Sequence, residues 1–198
     1  MDEKKFVADL EDYIERSVEV AKEFKKLSPK LKDIAMAIEN AAEQGASVYI
    51  MGNGGSAATA SHMVADLNKT AIREGKKRFR AICLNDNVPV MMAWANDDSY
   101  DSIFVEQLKN FLAKGDILIG ISGSGNSPNV VKAIEYANGM GNTTIGITGM
   151  INEAGGKLGK MAKIALIVPD NLMYRLEDFH LMVNHALVYA FKHNDERQ

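Results

Sequence analysis

The stretch Ser47-Val48-Tyr49-Ile50-Met51-Gly52-Asn53-Gly54-Gly55-Ser56 decides how this chain folds. Val48 to Met51 is an apolar run that with Ser47 has strand length, and it stops at a cluster of glycines. The alanine-rich segment that follows has helical composition. Strand, glycine turn and helix make half of a parallel crossover unit. The same order recurs along the chain. Strands are expected at 47–51, 79–84, 116–121, 143–147 and 164–168. Helices are expected near 57–71, 89–95, 99–113, 128–138 and 173–192, with a further helical turn at 153–160. Such alternation gives a parallel sheet covered on both faces. The expected fold class is therefore α/β, a doubly wound three-layer α-β-α sandwich on a five-stranded parallel sheet.

Two helices should precede the sheet. Phe6, Leu10, Tyr13, Ile14, Val18, Ala21 and Phe24 recur at helical spacing. Ser28 before Pro29 reads as an N-cap with proline at the first helical position, opening a second helix to about residue 43. The whole of 1–198 is expected to be a single domain. Residues 1–44 would be an N-terminal helical pair for oligomer packing, and 45–198 the α/β core. The tail from Asn194 to Gln198 is expected to fray.

Composition narrows the function. A chain of 198 residues with 46% apolar and 25% charged residues is an ordinary globular protein, not a disordered one. A net charge of −3 argues against general nucleic-acid binding. No apolar run approaches the roughly 20 residues that span a bilayer, so no membrane partner is expected. Charges begin at Asp2, which leaves no secretory signal. Cys83 is the single cysteine, in an apolar stretch, and reads as a small core residue. A reducing cytoplasm fits these features.

In an open parallel sheet, ligands bind outside the carboxyl ends of the strands. Two such loops are unusual here. After the first strand come Asn53, Gly54, Gly55 and Ser56, leading into a helix. Glycines let backbone N–H groups approach a ligand, and the helix start favours an anion. After the third strand come Ser122, Gly123, Ser124, Gly125, Asn126 and Ser127, with Pro128 opening the next helix. Three hydroxyls around two glycines supply the neutral donors that a phosphate needs where no lysine or arginine is present. Taken singly, either loop could be a tight turn with a serine cap. Two of them at the two crevice positions point to a phosphorylated ligand. The first loop also fits G-x-G-x-x-A, with Asp86 as a possible ribose acid, but that leaves the serine loop unexplained.

His62 and Asp66, four apart, share a face of the helix leaving the first loop. They suit a divalent metal or an acid–base pair. Glu177, His180 and His185 fall on the last helix. Glu177 and His185 are eight residues apart, roughly 12 Å along a helix. A single ion is not easily reached by both, so a shared site would draw them from different chains. That favours a homo-oligomer with sites at subunit interfaces.

The string from Gly52 to Ser56 followed by Ala60-Ser61-His62 resembles the SIS-domain (sugar isomerase) family, in its phosphoheptose isomerase branch. So do Ser122 to Ser127, Asn96-Asp97, and Glu177-Asp178-Phe179-His180 continuing to His185. The resemblance covers nearly the whole chain. It implies a homotetramer that interconverts sedoheptulose 7-phosphate and D-glycero-D-manno-heptose 7-phosphate. It implies phosphate or sugar contacts at Asn53, Gly54, Ser56, Asn96, Asp97, Ser122, Ser124 and Ser127. It also implies a metal site, zinc above all, at His62, Asp66, Glu177 and His185, with His185 as acid–base partner. The chain departs from the family at three places. Asp66 stands where the isomerases carry their glutamate base, Glu177 where they carry glutamine, and Tyr174 where aspartate is common. Either Asp66 or Glu177 is then a candidate base, and two histidines with two carboxylates also suit manganese or iron. A non-catalytic SIS module, sensing a sugar phosphate or docking on a protein such as a replication initiator, is the alternative.

Overall fold

The structure is a computed structural model and describes residues 2–151 and 153–194. Of the tail expected to fray, Asn194 ends the last helix and 195–198 lie outside the described residues. Two helices lead, α1 (Glu3–Phe24) and α2 (Ser28–Glu43), and the α/β alternation follows. It runs β1 (Val48–Gly52), α3 (Gly55–Ala65), β2 (Ala81–Cys83), α4 (Val88–Asp97) and α5 (Val105–Phe111). It continues with β3 (Ile117–Ile121), α6 (Pro128–Gly139), β4 (Thr143–Thr148), α7 (Gly156–Met161), β5 (Ile164–Ile167) and α8 (Met173–Asn194). All strand pairs are parallel, in the order β2-β1-β3-β4-β5.

That order places the switch of winding direction between β1 and β3, which lie side by side with Gly52 opposite Ile121. The two unusual loops therefore leave adjacent strand ends, where an open sheet forms its crevice. Successive side chains of β1 go to opposite faces, as the strand period requires. Val48 and Ile50 join the core that packs under α2, α3 and α8. Tyr49 and Met51 join the core under α5 and α6.

Three expectations need correction. Ser28 does not cap α2: Leu27 stands at the cap, and the Ser28 hydroxyl donates back to the Lys25 carbonyl at 2.7 Å. A 3₁₀ turn, Lys25–Leu27, makes the junction. The helix expected at 99–113 is broken into a 3₁₀ turn, Tyr100–Ser102, and α5. Ser102, Ile103, Phe104 and Val105 are all buried, more than one face of a continuous helix can cover. The helix expected at 57–71 starts earlier, at Gly55, and widens into a π turn at Asp66–Thr70. There the Ala71 N–H donates to the Asp66 carbonyl at 2.8 Å. The Asn68 amide holds that turn to the sheet edge, bonding the N–H and carbonyl of Ala81.

Candidate functional site

The loop after β1 keeps its shape through side chains farther along the chain. The Asn85 amide accepts from the Gly52 N–H at 3.2 Å and donates to the Gly52 carbonyl at 2.8 Å, in the manner of one more ladder pair. Gly54 sits at φ +53°, which favours glycine, and stands at the N-cap of α3. Asn53 and Asn129 exchange amide bonds at 2.9 Å each way, and Tyr100 donates to Asn53 Oδ1 at 3.0 Å. Asn53 is thus fixed before any ligand arrives. Asn129 and Tyr100 were not singled out from the sequence; an asparagine in the first turn after the serine loop was the available signal.

The second loop is tied to the start of α7. Leu158 N–H donates to the Gly125 carbonyl, and Lys157 N–H to Asn126 Oδ1. Gly125, at φ +65°, lies against the Gly155 backbone so closely that a Cβ would overlap it. Ser122 and Ser127 hydroxyls face each other at 3.0 Å. Ser127 stands at the N-cap of α6, yet its hydroxyl makes no capping bond. The serine-cap explanation of this loop therefore does not account for Ser127. Ser124 does have a local duty, since its hydroxyl accepts from the Asn126 N–H at 3.2 Å.

Both loops open onto one crevice of about 230 Å³. Asn53, Gly54, Ser56, Ser122, Ser124 and Ser127 line it, with Met173 and Glu177 from α8. Among the described residues, Glu177 is the only charged side chain of that lining. A Cβ at Gly123 would meet the thioether of Met173, so the bare glycine lets α8 come close as the third wall. Asn96 and Asp97, bonded to each other at 2.7 Å, lie exposed at the end of α4 and are not part of the lining.

Two turns farther along α3 a second group converges. His62 Nε2 lies 3.4 Å from Asp66 Oδ2 and 3.4 Å from His185 Nε2, and His185 Nε2 is 3.9 Å from Asp66 Oδ2. A tetrahedral ion with bonds of about 2.0–2.1 Å spaces its ligand atoms roughly 3.4 Å apart, so this donor set fits a zinc-like ion. Asn184, buried beside His185 on α8, donates to Asp66 Oδ2 at 2.7 Å. It was not foreseen from sequence. The three donors come from one chain, so His185 needs no second subunit to meet His62 and Asp66. Glu177 is not among them and lies over Gly55, at the other end of α3.

The remaining singled-out groups have structural surroundings. His180 is buried, and neither ring nitrogen meets hydrogen-bond geometry, although the Thr148 backbone is near enough to favour protonation slightly. Burial wins and pushes its pKa down to about 4. Burial likewise pushes the Cys83 thiol up to about 12, which makes it an inert core residue. Asp86 accepts from the Ser61 hydroxyl at 3.0 Å.

The chain matches the SIS domain family over residues 12–149. It is similar to the phosphoheptose isomerase of Aliarcobacter butzleri, with 33% identity over 180 residues, 91% of this chain and 93% of the relative. The phosphoheptose isomerase of Helicobacter pylori is 38% identical over 184 residues, 93% of this chain and 90% of the relative. Among solved structures, phosphoheptose isomerase GmhA from Neisseria gonorrhoeae superimposes with a TM-score of 0.86 at 27% identity, covering 94% of this chain and 98% of that one.

Proposed function

The chain belongs to the SIS domain family, among the phosphoheptose isomerases, and on that footing we propose that it interconverts a ketose phosphate and an aldose phosphate. The proposed pair is sedoheptulose 7-phosphate and D-glycero-D-manno-heptose 7-phosphate. One observation carries the reading: a serine-lined crevice and a His–Asp–His cluster stand at the two ends of one helix, α3, in one chain. The rise from Gly55 to His62 is roughly 10 Å, about the reach of an extended seven-carbon phosphate.

Ser56, Ser122, Ser124 and Ser127 would hold the phosphate with the two helix starts, and Asn53 the adjoining hydroxyls. This remote anchoring places the carbonyl end of the sugar at the cluster. Asp66 is the proposed base, taking the proton from C1 or C2 to give an enediol. Its carboxylate accepts from the Asn184 amide, whereas Glu177 lines the serine crevice. His185 would move a proton between the two sugar oxygens. His62, Asp66 and His185 would hold the divalent ion, zinc in this reading. When bound there, such an ion would supply Lewis-acid polarisation of the substrate carbonyl. A cytoplasmic site of action belongs to the same reading, in keeping with a single cysteine, Cys83, that is free and buried.

The test is interconversion of sedoheptulose 7-phosphate followed by NMR. Activity should disappear on treatment with EDTA and return with added zinc. Activity untouched by the chelator would leave His62, Asp66 and His185 as acid–base groups only. No conversion under any metal condition would favour the sensing or docking module.

A further inference from the structure

The core-facing side of α8 is apolar at Leu176, Phe179, Val183 and Leu187, and Asn184 interrupts it, fully buried. Its amide nitrogen donates to Asp66 Oδ2 at 2.7 Å, while its own carbonyl oxygen meets no donor among the described residues. A buried acceptor without a donor costs stability, so packing alone does not favour an asparagine here. What Asn184 supplies instead is control of one carboxylate oxygen. Oδ2 is also the oxygen that lies 3.4 Å from His62 Nε2 and 3.9 Å from His185 Nε2. Among the described residues, Oδ1 of the same carboxylate accepts no hydrogen bond.

Resting on the isomerase reading of the site, we propose that Asn184 is a positioning residue that divides the two oxygens of Asp66. It fixes Oδ2 toward the two histidines and leaves Oδ1 to take the carbon-bound proton. That reading asks two tasks of one short carboxylate: to join the histidines around an ion, and to act as base. One carboxylate oxygen has lone pairs enough for both the Asn184 N–H and an ion. The terminal torsion of an aspartate is broad and two-fold, so its oxygens exchange unless something holds one of them. The Asn184 bond is that hold. In the reaction, Oδ1 bonds the proton as the C–H bond breaks. The freed electron pair becomes the C1–C2 double bond of the enediolate, and the carbonyl π pair moves onto its oxygen. His185 carries a proton between the two sugar oxygens, and Oδ1 returns its proton to the neighbouring carbon, so nothing is consumed.

The test compares the full chain with Asn184→Leu, which keeps the branched shape and removes the amide. Zinc affinity is read by competition with a chromophoric chelator, with no substrate present. The dissociation constant for zinc should rise roughly 10–100-fold, the range for losing the partner that orients a metal-binding side chain. With zinc saturating, kcat for sedoheptulose 7-phosphate should fall about tenfold or more, as misplacement of a base implies. KM should change by less than about threefold, because the phosphate is anchored at the other end of α3. A folded variant whose zinc affinity and kcat stay within about twofold of wild type overturns the inference and leaves the isomerase reading standing. A raised KM with kcat unchanged overturns it as well, since that pattern belongs to substrate binding. If Asn184→Leu is unfolded by circular dichroism, Asn184→Ala is held to the same limits. Wild type that neither binds zinc nor converts the sugar phosphate overturns the isomerase reading, and the inference with it.

Discussion

At the scale of single residues, burial decides which ionisable groups are chemistry and which are packing. His180 and His185 are both on α8, five residues apart, yet one is sealed against the sheet and the other faces His62. Sequence spacing placed them on one helix but could not say which nitrogen would find a partner. The sealed imidazole makes a pH prediction. Its folded pKa near 4 lies below its ordinary value of 6.5, so the unfolded chain binds this proton first. Its contribution is intact above about pH 6.5 and is lost as pH falls toward 4, by up to roughly 3 kcal/mol at 1.36 kcal/mol per pKa unit. Urea denaturation across that window should show wild type losing more stability than His180→Leu. Parallel losses in the two proteins would mean that His180 does not drive the acid transition. Asn184 went unread for a related reason: a buried amide before a histidine looks like any helix residue until Asp66 is opposite it.

At the scale of elements, what is local was legible and what depends on tertiary packing was not. The five strands, the glycine turn after β1 and the serine loop after β3 follow from runs of apolar residues and their breakers. The β2 strand, expected over six residues, pairs over three because it is a sheet edge with one neighbour. The π turn at Asp66 has no pattern of its own in sequence. It arises where Asn68 bonds Ala81 on the edge strand, a long-range contact. Wider helical turns of this kind occur often at functional sites, and here one begins at the proposed base. The eight-residue interval between Glu177 and His185 keeps Glu177 out of the group that His62, Asp66 and His185 form in one chain. Within one chain the two residues take different places along α3, Glu177 over Gly55 and His185 beside His62.

At the scale of the whole molecule, the chain carries more apolar surface than the sandwich uses. Phe6, Leu10, Ile14 and Val18 form a stripe along α1, each about half exposed. An apolar groove of about 610 Å³ runs between α2 and α8, bordered by Leu31, Met36, Leu187 and Phe191. A stripe of this kind marks an association surface, and the proposed occupant is further copies of this chain in a homotetramer. Light scattering should give about four times the 21.7 kDa chain mass. A stable monomer at micromolar concentration would remove that proposal without touching the site within the chain. The central claim is that Asp66 takes a carbon-bound proton from a sugar phosphate anchored at the far end of α3. Proton NMR of sedoheptulose 7-phosphate in D₂O tests it directly. Wild type should exchange the proton at C1 or C2 for deuterium, and Asp66→Asn should abolish exchange while still binding the phosphate. Absence of exchange with zinc-loaded wild type, or full exchange with Asp66→Asn, would contradict the account.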